Sequence, residues 1–549
     1  MTASNNRLLG LICLILTATP VAISQPLSDK NHTLHTIPIE EAQLRAHLTF
    51  LSSDNLKGRD TGTAEYEIAA NYVASHFEQF GMRPAGDNSS WFQSVPFIRS
   101  KLNPGSVQFT IHEENEQSHL TYQDDFFMLP SAISQQDNVR GELVFVGYGI
   151  VSKELHLDDY AGLNVQDKIV VILGGRPAAL ANDFGAHVSS IGEKVRLAVR
   201  QGAKGVIFVD TPAEQKTNTY QRYRLFASKP LLRWKSQSGI VSEDYPELKG
   251  LAYITVDAGR KLFKSAGHIL DDTFETMARG HIPAGFDLGI EVSLKRKSSH
   301  EKVTSSNVVG LVEGSDPTLM NEYIVFTSHL DHLGVDADGA VYNGALDNAA
   351  GIAIMLETAR RFSNLAKPKR SILFVAVTAE EAGLLGSDYF ARFPTVPLQS
   401  MVANLNIDMP LIMYPFADIV AFGGQHSTIS DSLEAALEPL GLKLSPDPMP
   451  ELSLFTRSDH YSFVKMGLPS VHLSPGFASR DPSINGHDLF GMFLKRHYHQ
   501  PTDEASLPID YSAGANFVKV AFSIGTILGN SPSRPRWRTD SNFGRLFSK

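Results

Sequence analysis

Short apolar runs alternate with amphipathic stretches through the second half of the chain. The runs have strand length, and the stretches between them repeat apolar residues at helical spacing. Strands that alternate with helices predict an α/β fold, a mostly parallel mixed sheet with helices on both faces. The predicted strands are 323–327, 371–377, 402–407, 418–422 and 469–473, and the helices are 352–362, 384–393, 429–440 and 511–528.

The first half of the chain has a different pattern of apolar and polar residues. Residues 38–51 and 64–80 predict helices, and the alternation in 91–129 predicts strands and hairpins. A strand–helix–strand unit over 141–210 predicts an inserted domain, whereas the polar and basic tract 220–238 and the span that follows the strand 469–473 predict long loops. The domains expected are an amino-terminal part of the main domain (25–134), the insertion (135–290), the rest of the main domain (291–530) and a tail (531–549).

Residues 1–24 have the pattern of a signal peptide. Arg7 precedes an apolar run at 8–16, and Ala22 and Ser24 supply small residues at a cleavage site. The run is shorter than the ~20 residues of a membrane span, so we expect export to a periplasm or the cell exterior without stable membrane insertion. An uncleaved anchor is the alternative.

The amino-acid composition argues against several classes of function for this protein. The 549 residues carry a formal charge of −10, which argues against nucleic-acid binding. The one cysteine, Cys13, lies in the apolar run, so the mature protein would have no disulfide, thiolate ligand or catalytic cysteine.

Acidic and imidazole side chains follow the predicted strands. Ligands of α/β sheets collect beyond the carboxyl ends of the strands, so this coincidence predicts a metal centre. Imidazoles and carboxylates without thiolates suit zinc, with manganese or cobalt as substitutes. Two cations ~3.5–4 Å apart would share one carboxylate, and a further carboxylate would accept a proton. The residues are His329, Asp331, Asp347, Glu380, Glu381, Asp408 and His499.

These motifs together resemble the M28 family of zinc peptidases. The resemblance is carried by His329-Leu-Asp331, Gly344 to Gly351, Glu380-Glu381, Ile407-Asp408 and Tyr498 to Asp503. Residues 147–149, 158–160 and 168–171 resemble the protease-associated (PA) domain that many members carry as an insertion. The resemblance implies a zinc exopeptidase fold with a β-rich PA domain.

The resemblance also implies roles. Asp347 would bridge two zinc ions, with Glu381 and His499 completing one site and His329 and Asp408 the other. Glu380 would be the general base, and Asp331 would orient His329. His332, His460, Tyr461 and Tyr498 are further candidates that would line or brace the site, the tyrosines as oxyanion donors.

The function implied is an exported di-zinc exopeptidase, an aminopeptidase that releases amino-terminal residues of peptides with metal-bound water as nucleophile. A carboxypeptidase would need a cationic pocket, for which Arg457 and Arg496 are candidates. A glutaminyl cyclase would use one zinc, against which the five-ligand set argues. A non-catalytic PA-domain binding protein is the remaining alternative, and the oligomeric state is not predicted.

Overall fold

The computed structural model describes residues 39–114, 116–216, 219–365 and 367–548, so the predicted signal peptide lies outside the described residues. No helix among them is both long and apolar enough to cross a membrane. The α-helices are α1 (Ile39–Leu51), α2 (Ala64–Gln79), α3 (Asp183–Val188), α4 (Ile191–Arg200), α5 (Pro212–Lys216), α6 (Thr219–Ser228), α7 (Val256–Ser265), α8 (Leu270–Ala278), α9 (Ala350–Asn364), α10 (Leu385–Arg392), α11 (Ile429–Leu437), α12 (His460–Val464), α13 (Gly486–Arg496), α14 (Tyr511–Asn530) and α15 (Asn542–Phe547).

The strands group into two large sheets and two small hairpins. They are β1 (Arg83–Pro84), β2 (Phe92–Leu102), β3 (Gln108–His112), β4 (Gln117–His119), β5 (Phe126–Met128), β6 (Gln136–Phe145), β7 (Val151–Ser152), β8 (Leu157–Asp158), β9 (Ile169–Leu173), β10 (Gly205–Val209), β11 (Leu231–Trp234), β12 (Gly250–Ile254), β13 (Phe286–Val312), β14 (Tyr323–His329), β15 (Gly334–Val335), β16 (Val341–Tyr342), β17 (Ser371–Val377), β18 (Met401–Ile407), β19 (Asp418–Phe422), β20 (Lys443–Ser445) and β21 (Ser470–Pro475).

The first sheet confirms the predicted α/β fold. Its strands follow the order β11–β2–β13–β17–β14–β18–β21–β19–β20, with β1 on the far end of β13. The four central strands β17, β14, β18 and β21 are parallel, and their residues are buried throughout apart from Tyr323 at the start of β14. Strands covered on both faces read as continuous apolar runs, which is why the sequence predicts them well.

The second sheet has the order β4–β3–β13–β6–β9–β10–β12–β5. Strand β13 belongs to both sheets: its first half pairs with β3 and β6, and its second half pairs with β2 and β17. It crosses the boundary predicted between residues 290 and 291. The domain limits of the sequence analysis therefore stay a prediction, and the two sheets are joined by one continuous strand.

Helices cover both faces of the first sheet. On one face, α9 packs against α1, α2 and α14, and α11 packs against α14, within the largest apolar cluster. Residues 350–359 of α9 are all buried, so this helix is surrounded by protein on every side. On the other face, α10 and α12 pack on β17 and β18, with Phe390 and Phe463 in a smaller cluster.

Two predicted loops are wrong. The tract 220–238 contains α6 and β11, and β11 joins the edge of the first sheet by pairing with β2. The span after β21 contains α13, whose first turn is capped by the side chain of Asn485 and whose Phe490 and Phe493 are buried. In both places the polar residues favoured the prediction of a loop. A helix or strand forms there instead, because packing of a few apolar residues against the rest of the fold outweighs the local preference for a loop.

The side chain of Arg59 connects the amino-terminal segment to the loops that carry the candidate site through hydrogen bonds. The side chain is 1% exposed, and its guanidinium donates to the carbonyl oxygens of Leu330 (2.9 Å), Asn343 (2.7 Å), Gly344 (3.2 Å) and Leu51. Burial lowers its pKa to about 10, although nearby carboxylates raise it. These carbonyl groups have Arg59 as their donor in a region closed to water.

Replacing Arg59 with Ala should therefore lower the free energy of unfolding by about 3 kcal/mol or more, since each buried carbonyl left without a donor costs about 1–3 kcal/mol. Urea unfolding with a chelator present measures this loss without a contribution from metal. The matched control is Arg83→Ala, which removes an exposed ion pair with Glu313 and should cost about 1 kcal/mol at most. Equal losses in the two variants would contradict the role given to Arg59.

Candidate metal centre

The candidate ligands meet at the carboxyl edge of the parallel strands of the first sheet. Strand β14, which ends in His329, lies between β17 and β18. Glu380 and Glu381 follow β17, and Asp408 comes directly after β18. Because neighbouring parallel strands end on the same edge, side chains from distant parts of the sequence lie close together.

One group of potential ligands consists of His329, Asp347 and Asp408, all buried. The Nε2 atom of His329 lies 3.2 Å from Oδ1 of Asp347 and 3.0 Å from Oδ1 of Asp408. One imidazole nitrogen and two carboxylate oxygens that converge in this way form a donor set suited to zinc. The structure thus brings together the residues that the sequence assigns to one metal site.

The second oxygen of Asp347 faces a second group. Oδ2 of Asp347 lies 3.3 Å from Nε2 of His499, and the same nitrogen lies 3.1 Å from Oε2 of Glu381. Asp347 therefore presents one oxygen to His329 and the other to His499. This is the arrangement expected of a carboxylate shared by two cations.

His332 belongs to the second group as well, although only a lining or bracing role was expected for it from the sequence. Donor atoms of His332, Asp347 and Glu381 lie within 4.8 Å of one another. Nδ1 of His332 lies 2.6 Å from Oε1 of Glu381 without hydrogen-bond geometry, and neither ring nitrogen has a hydrogen-bond partner among the described residues. The ring is 1% exposed.

Buried polar atoms that lack a partner are rare in folded proteins. The two ring nitrogens of His332 and Oε1 of Glu381 are such atoms, and they lie together beside Asp347. A divalent cation would satisfy donors of this kind, so the residues present fit bound zinc. The signal in the sequence was the position of His332 itself, directly after Asp331 in the same strand-end loop.

The crowded carboxylates change the proton affinity of their neighbours. Burial lowers the pKa of His329, but Asp408, Glu380 and Asp347 raise it well above its usual value. Burial raises the pKa of Asp347, but hydrogen bonds from His329 and His499 hold it well below its usual range. Asp347 is thus held as an anion between two histidines, as a bridging ligand must be.

Glu380 differs from the ligand groups because its carboxylate has no hydrogen bond or ion pair to another described residue. It lines the same cavity as His329, Asp347 and Asp408. Burial raises the pKa of Glu380 well above its usual range; His329 lowers it, and Asp408 raises it further. A carboxylate that is free, close to the ligands and ready to accept a proton has the properties of a general base.

Asp331 contacts His329 through its backbone and not through its carboxylate. Its backbone carbonyl accepts a hydrogen bond from Nδ1 of His329 at 3.1 Å. Its carboxylate instead accepts the backbone N–H groups of Glu380 (3.1 Å) and Glu381 (3.3 Å), together with the hydroxyl of Thr61 (3.3 Å). Asp331 therefore positions both the histidine and the glutamate pair.

Asp503 positions the Asp347 loop, a role that the sequence analysis did not assign. Its oxygens accept the backbone N–H groups of Leu346 and Asp347, each at 3.0 Å. In the same loop Gly344 has φ +56°, and a Cβ atom there would lie 2.1 Å from the carbonyl oxygen of Asp347 and 2.6 Å from the His332 ring. Only glycine fits this close approach. Asp503 lies in the same motif as His499, which was the signal available in the sequence.

Asp408 is held from two sides. The hydroxyl of Ser458 donates to its Oδ2 at 2.5 Å, and that hydroxyl in turn accepts from Nδ2 of Asn406 at 2.7 Å. The backbone carbonyl of Asp408 lies 2.8 Å from Nε2 of His472. These contacts fix the carboxylate that faces His329, as the supporting groups of metal ligands do.

A cavity of about 230 Å³ opens over the candidate ligands. Tyr498 lines it, with its ring stacked on His499 at a centroid distance of 3.8 Å. The hydroxyl of Tyr461 instead lies 2.5 Å from Nδ1 of His187. Two arginines complete the lining, Arg222 from α6 and Arg457. The apolar part of the lining consists of Met409, Phe422, Leu452, Leu454, Phe490 and Leu494.

The fold and the shared carboxylate define the class: an α/β protein with a candidate two-metal centre at the carboxyl edge of its parallel strands. Residues 307–524 match the model of Peptidase family M28, and residues 139–229 match that of the PA domain. The chain therefore contains a region that matches the M28 peptidases and a second region that matches the PA domain. This confirms the resemblance that the motifs carry.

Named relatives agree with this assignment. The chain is 35% identical over 138 residues to aminopeptidase NAALADL1 of Mus musculus, covering 24% of this chain and 17% of that protein. It is 26% identical over 318 residues to the probable leucine aminopeptidase 2 of Aspergillus oryzae, covering 56% of this chain and 58% of the relative. The matches thus span from about a sixth to just over half the length of these relatives.

The solved structure of an aminopeptidase from Aneurinibacillus sp. strain AM-1 has the same fold. It aligns with a TM-score of 0.50 and 21% identity, over 90% of this chain and 95% of that one. The agreement over nearly the whole of both chains covers both sheets of the present structure.

Proposed function

We propose that the protein is a di-zinc exopeptidase, an aminopeptidase that releases amino-terminal residues of peptides. The observation that carries the proposal is Asp347, whose two oxygens face two different histidines while the free carboxylate of Glu380 lies in the same cavity. Both relatives named above are aminopeptidases, which supports this choice over a carboxypeptidase.

His329, Asp347 and Asp408 would hold one zinc ion, and Asp347, Glu381 and His499, joined by His332, the other. When bound, two zinc ions would polarise the scissile carbonyl and lower the pKa of a water molecule. Glu380 then accepts the proton of that water and donates it to the leaving amine. Tyr498, at the cavity wall, can donate a hydrogen bond to the developing oxyanion.

The apolar residues that line the cavity favour an apolar side chain on the released residue, because a charged group packed against them would lose its hydration. The predicted signal peptide supports an exported protein, periplasmic or extracellular. Export would also agree with a mature chain that has no cysteine to oxidise.

Removing the metal should abolish peptidase activity. We expect about two zinc ions per chain by elemental analysis, loss of leucine p-nitroanilide hydrolysis after dialysis against a chelator, and recovery on adding zinc. An acetylated leucyl peptide should resist cleavage, because its amino terminus is blocked. Cleavage of the acetylated peptide from its carboxyl end would indicate a carboxypeptidase, and a metal-free chain without turnover would indicate a binding protein.

A further inference from the structure

Two arginines from different domains line the cavity that contains the candidate ligands. Arg222 lies on α6, within the residues matched by the PA domain, and Arg457 lies in the M28 domain shortly before α12. Both are exposed, and no side chain among the described residues forms a hydrogen bond or ion pair with either guanidinium. Both cations are therefore available to a ligand.

The position of Arg457 is set by its neighbour. Ser458, the next residue, donates to Oδ2 of Asp408 and accepts from Asn406. The backbone that carries Arg457 is thus held by contacts to a candidate metal ligand. An arginine on a backbone fixed in this way has a defined position relative to the candidate metal ligands, as a specificity residue must.

Contacts between the two domains hold the facing segments together. Arg176 of the PA domain donates from Nη2 to the carbonyl oxygen of Glu451 (3.2 Å) and to the hydroxyl of Ser453 (3.0 Å). These residues lie in the loop that leads to Arg457. A second cavity, of about 400 Å³, is lined by Arg457 and by α6 residues including Tyr223. Helix α6 therefore borders both cavities, and Arg457 is common to them.

Guanidinium groups bind carboxylates through paired hydrogen bonds. The apolar residues of the lining would take the side chain of the released residue, which leaves the two arginines to bind the peptide that follows it. We propose that Arg222 and Arg457 bind a carboxylate of the substrate beyond the scissile bond, which makes the PA domain part of the specificity site. The proposal rests on the proposed peptidase function. The carboxylate can come from an acidic side chain or from the free carboxyl terminus of a short peptide.

Two matched substrate pairs distinguish these sources. Leu-Glu-amide against Leu-Gln-amide differs only in side-chain charge, and Leu-Gln against Leu-Gln-amide differs only in the terminal carboxylate. We expect the wild type to prefer the anionic member of at least one pair in kcat/KM. In Arg222→Ala and in Arg457→Ala this preference should fall about tenfold, the value of one charge-assisted hydrogen bond.

The control is Arg224→Ala, on the same helix, whose guanidinium donates to the carbonyl oxygen of Gln123 at 3.0 Å; it should keep the wild-type preference. A wild type without preference in either pair would overturn the proposal, as would Arg222→Ala and Arg457→Ala variants that keep the full preference. In both cases hydrolysis of leucine p-nitroanilide would leave the peptidase function standing. No turnover of any substrate by zinc-loaded wild type would overturn both proposals.

Discussion

Replacing Glu380 with Gln is expected to lower kcat by about 10²–10⁴-fold while leaving the zinc content near that of the wild type. The amide cannot accept the proton that the carboxylate takes, and general-base catalysis has an effect of this size. Metal binding should persist because Glu380 belongs to neither of the two ligand groups, and its backbone N–H still reaches Asp331.

Elemental analysis and steady-state kinetics on the same preparation test this expectation. The matched comparison is Glu381→Gln, the adjacent residue, whose Oε2 lies 3.1 Å from His499. That variant should lose zinc from one site together with activity, whereas Glu380→Gln should lose activity alone. A Glu380→Gln enzyme with wild-type kcat would show that another group accepts the proton.

Replacing Asp347 with Ala is expected to remove both zinc ions and all measurable turnover. Each oxygen of Asp347 faces a different histidine, so one substitution removes a ligand from both groups. Asp408→Ala and His499→Ala each remove a ligand from one group only, so zinc should remain bound at the other site. Zinc content should therefore fall from about two per chain to near zero in the first variant and to about one in the others.

The fold must survive for this comparison to be valid. Asp503 binds the backbone N–H of residue 347 and not its side chain, so the loop keeps that contact in the variant. Far-UV circular dichroism of the metal-free proteins provides the check. An Asp347→Ala protein that is folded and still binds two zinc ions would contradict the bridging role.

The central strands could be predicted because they are buried on both faces and read as unbroken apolar runs. Helix α6 and strand β11 could not, since the tract 220–238 is polar and its order comes from packing against distant residues. Strand β11 pairs with β2, more than 100 positions earlier in the chain. The amino-acid composition of the tract does not indicate a pairing partner so far away in the chain.

The candidate site divides in the same way. The types of ligand residue could be predicted from the sequence because His329, Asp347, Glu381 and Asp408 follow strands or begin a helix. The sequence did not indicate which atoms of these residues contact one another. The carboxylate of Asp331 turns to the glutamate pair, His332 lies against Glu381, and Arg222 reaches the cavity from the PA domain.

Position along a strand follows from the period of apolar residues, and in a parallel sheet it determines which residues share an edge. The amino-acid sequence alone was therefore enough to predict a metal-binding edge and its donor types. Side-chain direction in the loops depends on contacts from segments far away in the chain, such as Asp503 on the Asp347 loop. Those contacts exist only after the sheets and helices have packed, so the positioning role of Asp503, the added donor His332 and the arginine pair emerged from the tertiary structure.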